Sequence, residues 1–459
     1  MISISIPSRF SSEIRWVLSH VFKERFGLAI AVKEEHSFGP YIISDGQKSL
    51  EIANDLFGRD YSAWPSASVM PMLPLQKWDS TEVGSLLPFS QRVVPVIFGQ
   101  PGFTMNDSGR ARLGLDVIGS AFFMLSRVEE LIVPDRDEHD RFPAAASVAY
   151  KAGFLERPIV DEYIEILWAA ISRVWPGLER KRAEPRTIVS CDVDNPYEEY
   201  VKSWRLTAKR VGGDILKRRS ARIALQTITN AVASRMGNYR YDPLHTFEWI
   251  MDVNEKAGNK VAFYFKAGKT SERFDGHYCL EEPRVRALMR RMHDRGHEIG
   301  IHPSYNTYRD GALLRKEVDR LGRVMDEEGI KQDELGSRMH YLRWSTPETA
   351  RHLEAAGVDY DTTLGYADRP GFRCGTCHEY RMFDPLERRQ LKLRQRPLIV
   401  MECSLLSDQY KGLQHEMALM EMKKLKATCE GFGGSFNFLW HNSQLDSRAD
   451  RESYKEMIA

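Results

Sequence analysis

From Thr187 to the last residue, a stretch of about 270 of the chain's 459 residues, buried strands alternate with amphipathic helices. TIVSCDVD, NKVAFYFKAG, HEIGIH, PLIVMEC and SFNFLWH read as strands of near-continuous apolar character. That texture belongs to strands covered on both faces. Between them PRVRALMRRMHDRG is a helix closed by Gly296, LLRKEVDRLGRVM has helical spacing, and MHYLRW is expected to be extended. TPETARHLEAAG reads as a helix with Thr346 as cap, Pro347 in its first turn and Gly357 at its end. Because each parallel strand pair needs a crossover, such alternation specifies a parallel sheet, open or closed into a barrel.

The chain is long for one domain. A polar Pro/Gly-containing stretch, WPGLERKRAEPRT, sets the expected boundary near Glu184, dividing a mixed α/β part (1–184) from the alternating part (185–459). In the first part Ile2, Ile4 and Ile6 alternate as a strand does, and RVVPVIF reads as another strand. Asp116 is placed to cap a helix running to Val133, where Pro134 stops it. DEYIEILWAAISRVW sets Tyr163, Ile164, Leu167, Trp168 and Ile171 on one helical face, and PDRDEHDRF reads as a solvated loop.

Lys+Arg of 65 against Asp+Glu of 64 leaves no overall field that would favour nucleic acid. There is no basic leader before an apolar run and no window of about 18 apolar residues. The expected compartment is the cytoplasm, with the six scattered cysteines reduced. One local exception is the segment 202–240, where ten Lys and Arg residues face a single acid, Asp214, and interleave with Ile215, Leu216, Leu225 and Ile228. It is either a solvated face or a basic amphipathic helix that meets an anionic membrane or a phosphate-bearing glycan carrier.

Functional groups of parallel α/β folds gather at the carboxyl ends of strands. At those stations stand Asp192 and Asp194, then His302 with Ser304 and Asn306, then Arg343, Asp361 and His441. Asn195-Pro196 could make the Asp pair part of a turn. However, two carboxylates ending a buried strand are costly without partners, which favours a functional reading. His245, His277, His293, His297 and His340 are assigned structural places.

In this order SCDVDNP, GHEIGIHPSYN, HYLRWSTPE, YDTT and FLWHNS resemble the five motifs of the polysaccharide deacetylase superfamily, the NodB-homology domain of carbohydrate esterases, over roughly Thr187 to Ser443. FMLSRVEE…DRF…GFLERPIVDEY resembles an uncharacterised domain that precedes such domains in bacterial chains. The resemblance implies a distorted (β/α) barrel and hydrolysis of an N-acetyl group, or another C–N bond, usually on a sugar. By the family pattern Asp192 is the general base, held and kept ionised by Arg343. Asp194 and His302 bind a divalent metal, and His441 protonates the leaving amine with Asp361 orienting it. Ser304, Tyr305, Trp344 and Arg373 are expected to meet an acetylated sugar or glycan precursor.

The sequence departs from the pattern at Asn306, where metal-dependent members carry a second histidine four residues after the first. With Asn306 as ligand the site is expected to bind metal weakly, to prefer Mg²⁺ or Mn²⁺ over Zn²⁺, or to bind none. The rival this motivates is a non-catalytic carbohydrate-binding protein on a deacetylase scaffold.

GFRCGTCH, Gly371 to His378, has the C-x-x-C-H spacing of c-type haem attachment, and its cysteines could also hold a metal or a redox disulfide. It begins ten residues after Asp361, on the loop leaving the fourth motif. There it is expected to line the rim of the crevice, Arg373 holding an anionic group and His378 a spare polar contact.

Overall fold

The computed structural model describes residues 2–35, 38–61 and 63–459. Its alternating part forms one nine-stranded sheet. In chain order its strands are β1 (Arg186–Val193), β2 (Val261–Phe265), β3 (Glu298–Ile301), β4 (Gly336–Ser337), β5 (Tyr360–Asp361), β6 (Tyr380–Asp384), β7 (Arg389–Gln395), β8 (Val400–Met401) and β9 (Ser435–Leu439). Across the sheet they run β6-β7-β5-β4-β3-β2-β1-β9-β8. Every pairing is parallel except β6 with β7.

Although β7 and β8 pair with opposite sides of this order, only residues 396–399 separate them. Arg396 N donates to the carbonyl of Asp361 in β5, and Ile399 N donates to Asn437 in β9. The sheet is therefore curled, with one short link spanning its two margins as in a partial barrel. All five residues of β2 are buried, as its unbroken apolar run requires. Helices Pro283–Asp294, Gly311–Glu327, Glu348–Ala356 and His415–Gly431 contribute apolar residues to the core.

Two local expectations change. MHYLRW is not a strand: β4 ends at Ser337, and His340–Leu342 forms a tight helical turn in which Tyr341 and Leu342 adopt φ of 61° and 54°. Residues with left-handed backbone leave the β region, so the chain swings away from the sheet before Arg343. The following helix begins at Glu348 and not under a Thr346 cap. Ser345 N instead donates to Thr349 Oγ1, while Gly357 closes the helix in the left-handed conformation as expected.

The amino-terminal part holds a six-stranded sheet in the order Ala31–Glu35, Ser3–Pro7, Tyr41–Ser44, Ser49–Ile52, Arg110–Leu115, Gly99–Met105. A separate pair joins Gln76–Asp79 to Val93–Val96. Asp116 caps its helix through Gly119 N, but that helix stops at Leu125 and resumes at Glu129–Ile132, interrupted by Arg127 at φ 54°.

The two parts share one apolar core. Trp16 packs 5.0 Å from the ring of Phe383 and donates its indole N–H to the carbonyl of Arg381 at 2.9 Å. Among the described residues no helix is long and apolar enough to cross a membrane.

Candidate active site

At the carboxyl ends of the curled sheet lies a cleft of about 190 Å³, lined by Asp192, Asp194, His302, His340 and His441 among others. Asp192, Asp194, His302 and His441 arrive by the same local logic, and His340 by the turn that follows β4. An apolar strand is committed to the core, and the first polar residues beyond it emerge into the crevice. Asp192 and Asp194 close β1, His302 follows β3, His340 follows β4, and His441 follows β9.

One side of the cleft is a carboxylate between two imidazoles. Asp194 Oδ1 lies 3.4 Å from His302 Nε2 and 3.2 Å from His340 Nε2. Both tautomers are fixed from behind. His302 Nδ1 lies 2.6 Å from the carbonyl of Arg338, and His340 Nδ1 lies 2.8 Å from Asp275 Oδ1. Each acceptor demands an N–H, so in the neutral rings both Nε2 lone pairs point at Asp194. The buried Oδ1 has no hydrogen-bond partner among the described residues. Three electron-rich atoms facing one another need a positive charge between them, and a carboxylate with two imidazoles braced through Nδ1 suits a divalent cation. Lys266, following β2, brings its ammonium to 3.2 Å from the same oxygen. Burial works against the ionised form of Asp194, but the Lys266 ammonium outweighs it and holds its carboxyl well below the usual range.

The other side holds a histidine–carboxylate pair. Glu402, the first residue after β8, is buried and sits 2.5 Å from His441 Nδ1, also accepting from the His441 backbone N–H. Burial disfavours the imidazolium, yet Glu402 and the adjacent Cys403 hold His441 well above its ordinary value. Its Nε2 stands 3.9 Å from Asp194 Oδ2. Asp192 lines the same cleft, Oδ2 at 3.8 Å from His302 Nε2 and Oδ1 buried without a hydrogen bond among the described residues.

Four expected residues thus converge: Asp192, Asp194, His302 and His441. Others stand elsewhere. Arg343 does not reach Asp192, because the left-handed turn carries it off. Its guanidinium lies 4.0 and 3.9 Å from the ring centres of Tyr305 and Tyr308 and donates to the carbonyls of His139 and Tyr305. The arginine nearest Asp192 is Arg338, fully buried, with Nε at 3.8 Å. Asp361 bonds Ser337 and Thr363 rather than His441, and its place beside the imidazole is taken by Glu402. Asn306 faces Thr270 and Arg343 rather than Asp194.

Among the proposed substrate contacts, Ser304 is engaged by Glu317, Tyr305 stacks on Phe274, and buried Trp344 donates to Thr346. None of these lines the cleft. His340, expected to be structural, stands where Asn306 was looked for. PDRDEHDRF is not simply solvated. It delivers Arg141, whose Nη1 donates to the carbonyl of Tyr341 and whose Nη2 reaches the hydroxyl of Tyr410, into the cleft wall. Glu402 had a legible signal, an acid directly after a buried strand; Arg141 had none.

GFRCGTCH is likewise not at the rim. It is buried beneath the amino-terminal part, where Arg373 pairs with Glu130, Thr376 and Cys377 N donate to Asp161, and Gly375 accepts from Val160 N. Burial and the charge of Arg25 pull His378 down to about 3, and its Nε2 faces the carbonyl of Phe432. The native state therefore keeps this ring neutral, while the unfolded chain takes up a proton below about pH 6.5. This contribution is complete above that pH and is lost as pH falls toward 3. His378→Gln is expected to flatten the fall of unfolding free energy across that window, by up to about 1.4 kcal/mol per pH unit. Urea titrations at several pH values check this, and parallel curves for the two proteins would refute it.

Residues 2–176 match a family model described as a family of unknown function, DUF7033. No curated protein matches the chain. Among solved structures, one described as a "putative polysaccharide deacetylase from Mycobacterium smegmatis" aligns with TM-score 0.38 and 15% identity over 61% of this chain and 84% of its own. The structure of Puue allantoinase aligns with TM-score 0.37 and 15% identity over 62% and 85%.

Proposed function

We propose that this chain is a hydrolase that removes an N-acetyl group, or another acyl group linked through nitrogen, from a sugar or glycan precursor. The observation that carries the reading is the two-sided cleft. A buried carboxylate whose Oδ1 accepts no hydrogen bond among the described residues, Asp192, shares the cleft with a cation-binding face made by Asp194, His302 and His340 and with a proton-donating pair, His441 with Glu402. Amide hydrolysis needs all three functions: activation of water, stabilisation of the oxyanion, and a proton for the leaving amine.

Asp192 takes the proton of the attacking water, Arg338 supporting its charge. His441, kept protonated by Glu402, gives its Nε2 proton to the amine nitrogen as the C–N bond breaks. Asp194, His302 and His340 would hold a divalent ion, and two imidazoles with one carboxylate suit Zn²⁺. When bound, such an ion polarises the carbonyl and lowers the pKa of water. Arg141 and Tyr410 wall the cleft where a polar sugar would lie.

His340→Ala is expected to weaken Zn²⁺ binding to chelator-stripped protein by at least about tenfold, since even outer-shell partners matter that much. Asn306→Ala should leave it within about twofold. Calorimetric titration separates the two, and equal losses would return Asn306 to the ligand set. The binding-only alternative rests on Asn306 as a lost metal ligand, and Asn306 instead contacts Thr270 and Arg343. Acetate release from a panel of N-acetylated free, nucleotide-linked and lipid-linked sugars tests the main reading. Glycan binding without release of acetate or amine from any of them would overturn it.

A further inference from the structure

The segment after β1 folds into a helical hairpin, Trp204–Leu216 and Ala221–Arg235, that is built inside out. Its second helix turns Ala224, Thr227, Asn230, Ala231 and Ser234 inward. Its outward face is a stripe at spacings of three and four, Leu225, Ile228 and Val232, continued by Met236; Leu225 is 65% and Met236 81% exposed. The inward polar groups satisfy one another. Thr227 donates to Asp214 at 2.7 Å, Asn230 to the hydroxyl of Tyr200 at 2.8 Å, and Ser234 to Asn230 at 2.8 Å. The first helix follows suit, burying Thr207 and Asp214 while leaving Trp204 60% and Leu216 79% exposed. Eight of the twenty large apolar side chains exposed among the described residues fall between 204 and 241, so this is a concentrated patch and not ordinary surface scatter.

Charge selects what covers it. The one acid of the hairpin, Asp214, is buried and already paired with Arg210 and Arg218. Among the described residues Arg205, Lys209, Lys217, Arg219 and Arg222 are exposed and in no ion pair. A second copy docked symmetrically would set these cations against themselves. A nucleic acid or phosphopeptide would use the cations and leave the aliphatic stripe in water. An anionic bilayer uses both, taking the apolar stripe at its interface and Lys and Arg at its phosphates. We propose that this hairpin is a docking surface for an anionic lipid membrane, independently of the reaction in the cleft.

Flotation of the full chain with phosphatidylcholine vesicles, with and without one-third phosphatidylglycerol, tests the proposal. Association with the anionic vesicles is expected to exceed that with neutral ones by at least about tenfold and to fall as salt is raised. The pair Leu225→Asp and Met236→Asp should abolish most of it, as should Arg219→Glu with Arg222→Glu. Trp204→Ser with Leu216→Ser provides a second apolar test should the first pair disturb the fold. Four results would overturn the proposal: no association, equal association with neutral vesicles, anionic binding that ignores every apolar substitution, or self-association in the ultracentrifuge that those substitutions abolish.

Discussion

Asp192→Asn is expected to lower amide hydrolysis by about two to four orders of magnitude, the span ascribed to a general base, while the fold persists. The two effects separate for a physical reason. Asp192 is 2% exposed and its Oδ1 has no hydrogen-bond partner among the described residues, so its charge is held at a cost in solvation. An amide of the same shape removes the proton acceptor but keeps the packing, and Arg338 retains its hydrogen bonds to Thr362 and Ser190. Asp361→Asn, by contrast, should leave the rate nearly intact, because Asp361 bonds Ser337 and Thr363 and does not touch His441. Amine release measured beside thermal melting decides both. Activity of the Asp192 variant within tenfold of the parent would sink the base assignment, and collapse of its fold would make Asp192 a structural group.

A second large effect is expected far from the cleft. Glu130 Oε1 accepts from Arg127 Nε at 3.0 Å and Arg373 Nε at 2.9 Å, and its Oε2 accepts from Arg373 Nη2 at 2.9 Å. All three side chains are at most a few percent exposed. Burial disfavours the Glu130 carboxylate, but Arg373 and Arg127 outweigh it and draw it down to about 2. Glu130→Ala would leave Arg373 a buried cation without a carboxylate and should cost about 3–5 kcal/mol. Replacing both members, Glu130→Met with Arg373→Met, should recover most of that loss, since a well-packed apolar pair needs no solvation. Urea denaturation of the single and double variants measures it. A single-variant loss below about 1 kcal/mol would mean that water reaches Arg373, and a double variant no better than the single would locate the loss in packing.

What could be read in the sequence was whatever rests on local pattern. A buried apolar strand followed at once by Asp or His is visible without coordinates, and it located Asp192, Asp194, His302 and His441. The same rule applied to PLIVMEC would have found Glu402. Arg343 was misplaced because Tyr341 and Leu342 take left-handed dihedrals, which neither residue type favours and no local pattern announces. His340 owes its position to that same departure from the strand. Arg141 and the Glu130–Arg373 pair join residues 200 or more positions apart, and only the assembled core brings them together. The parallel sheet followed from alternation, which left it open or closed; its curl and the link at 396–399 that spans its margins did not follow.

Arg141 has a consequence for how such a chain can change over time. It belongs to the amino-terminal part, yet its guanidinium rests on Tyr341 and Tyr410 at the mouth of the cleft, steered by Asp137 at 2.7 Å. The segment that bears the cleft's carboxylates and imidazoles thus does not own its whole doorway. A recombinant that kept residues 185–459 and exchanged what precedes them would retain Asp192, Asp194, His302, His340 and His441 but lose Arg141 from the cleft wall, so changes in either part of the chain bear on one and the same cleft.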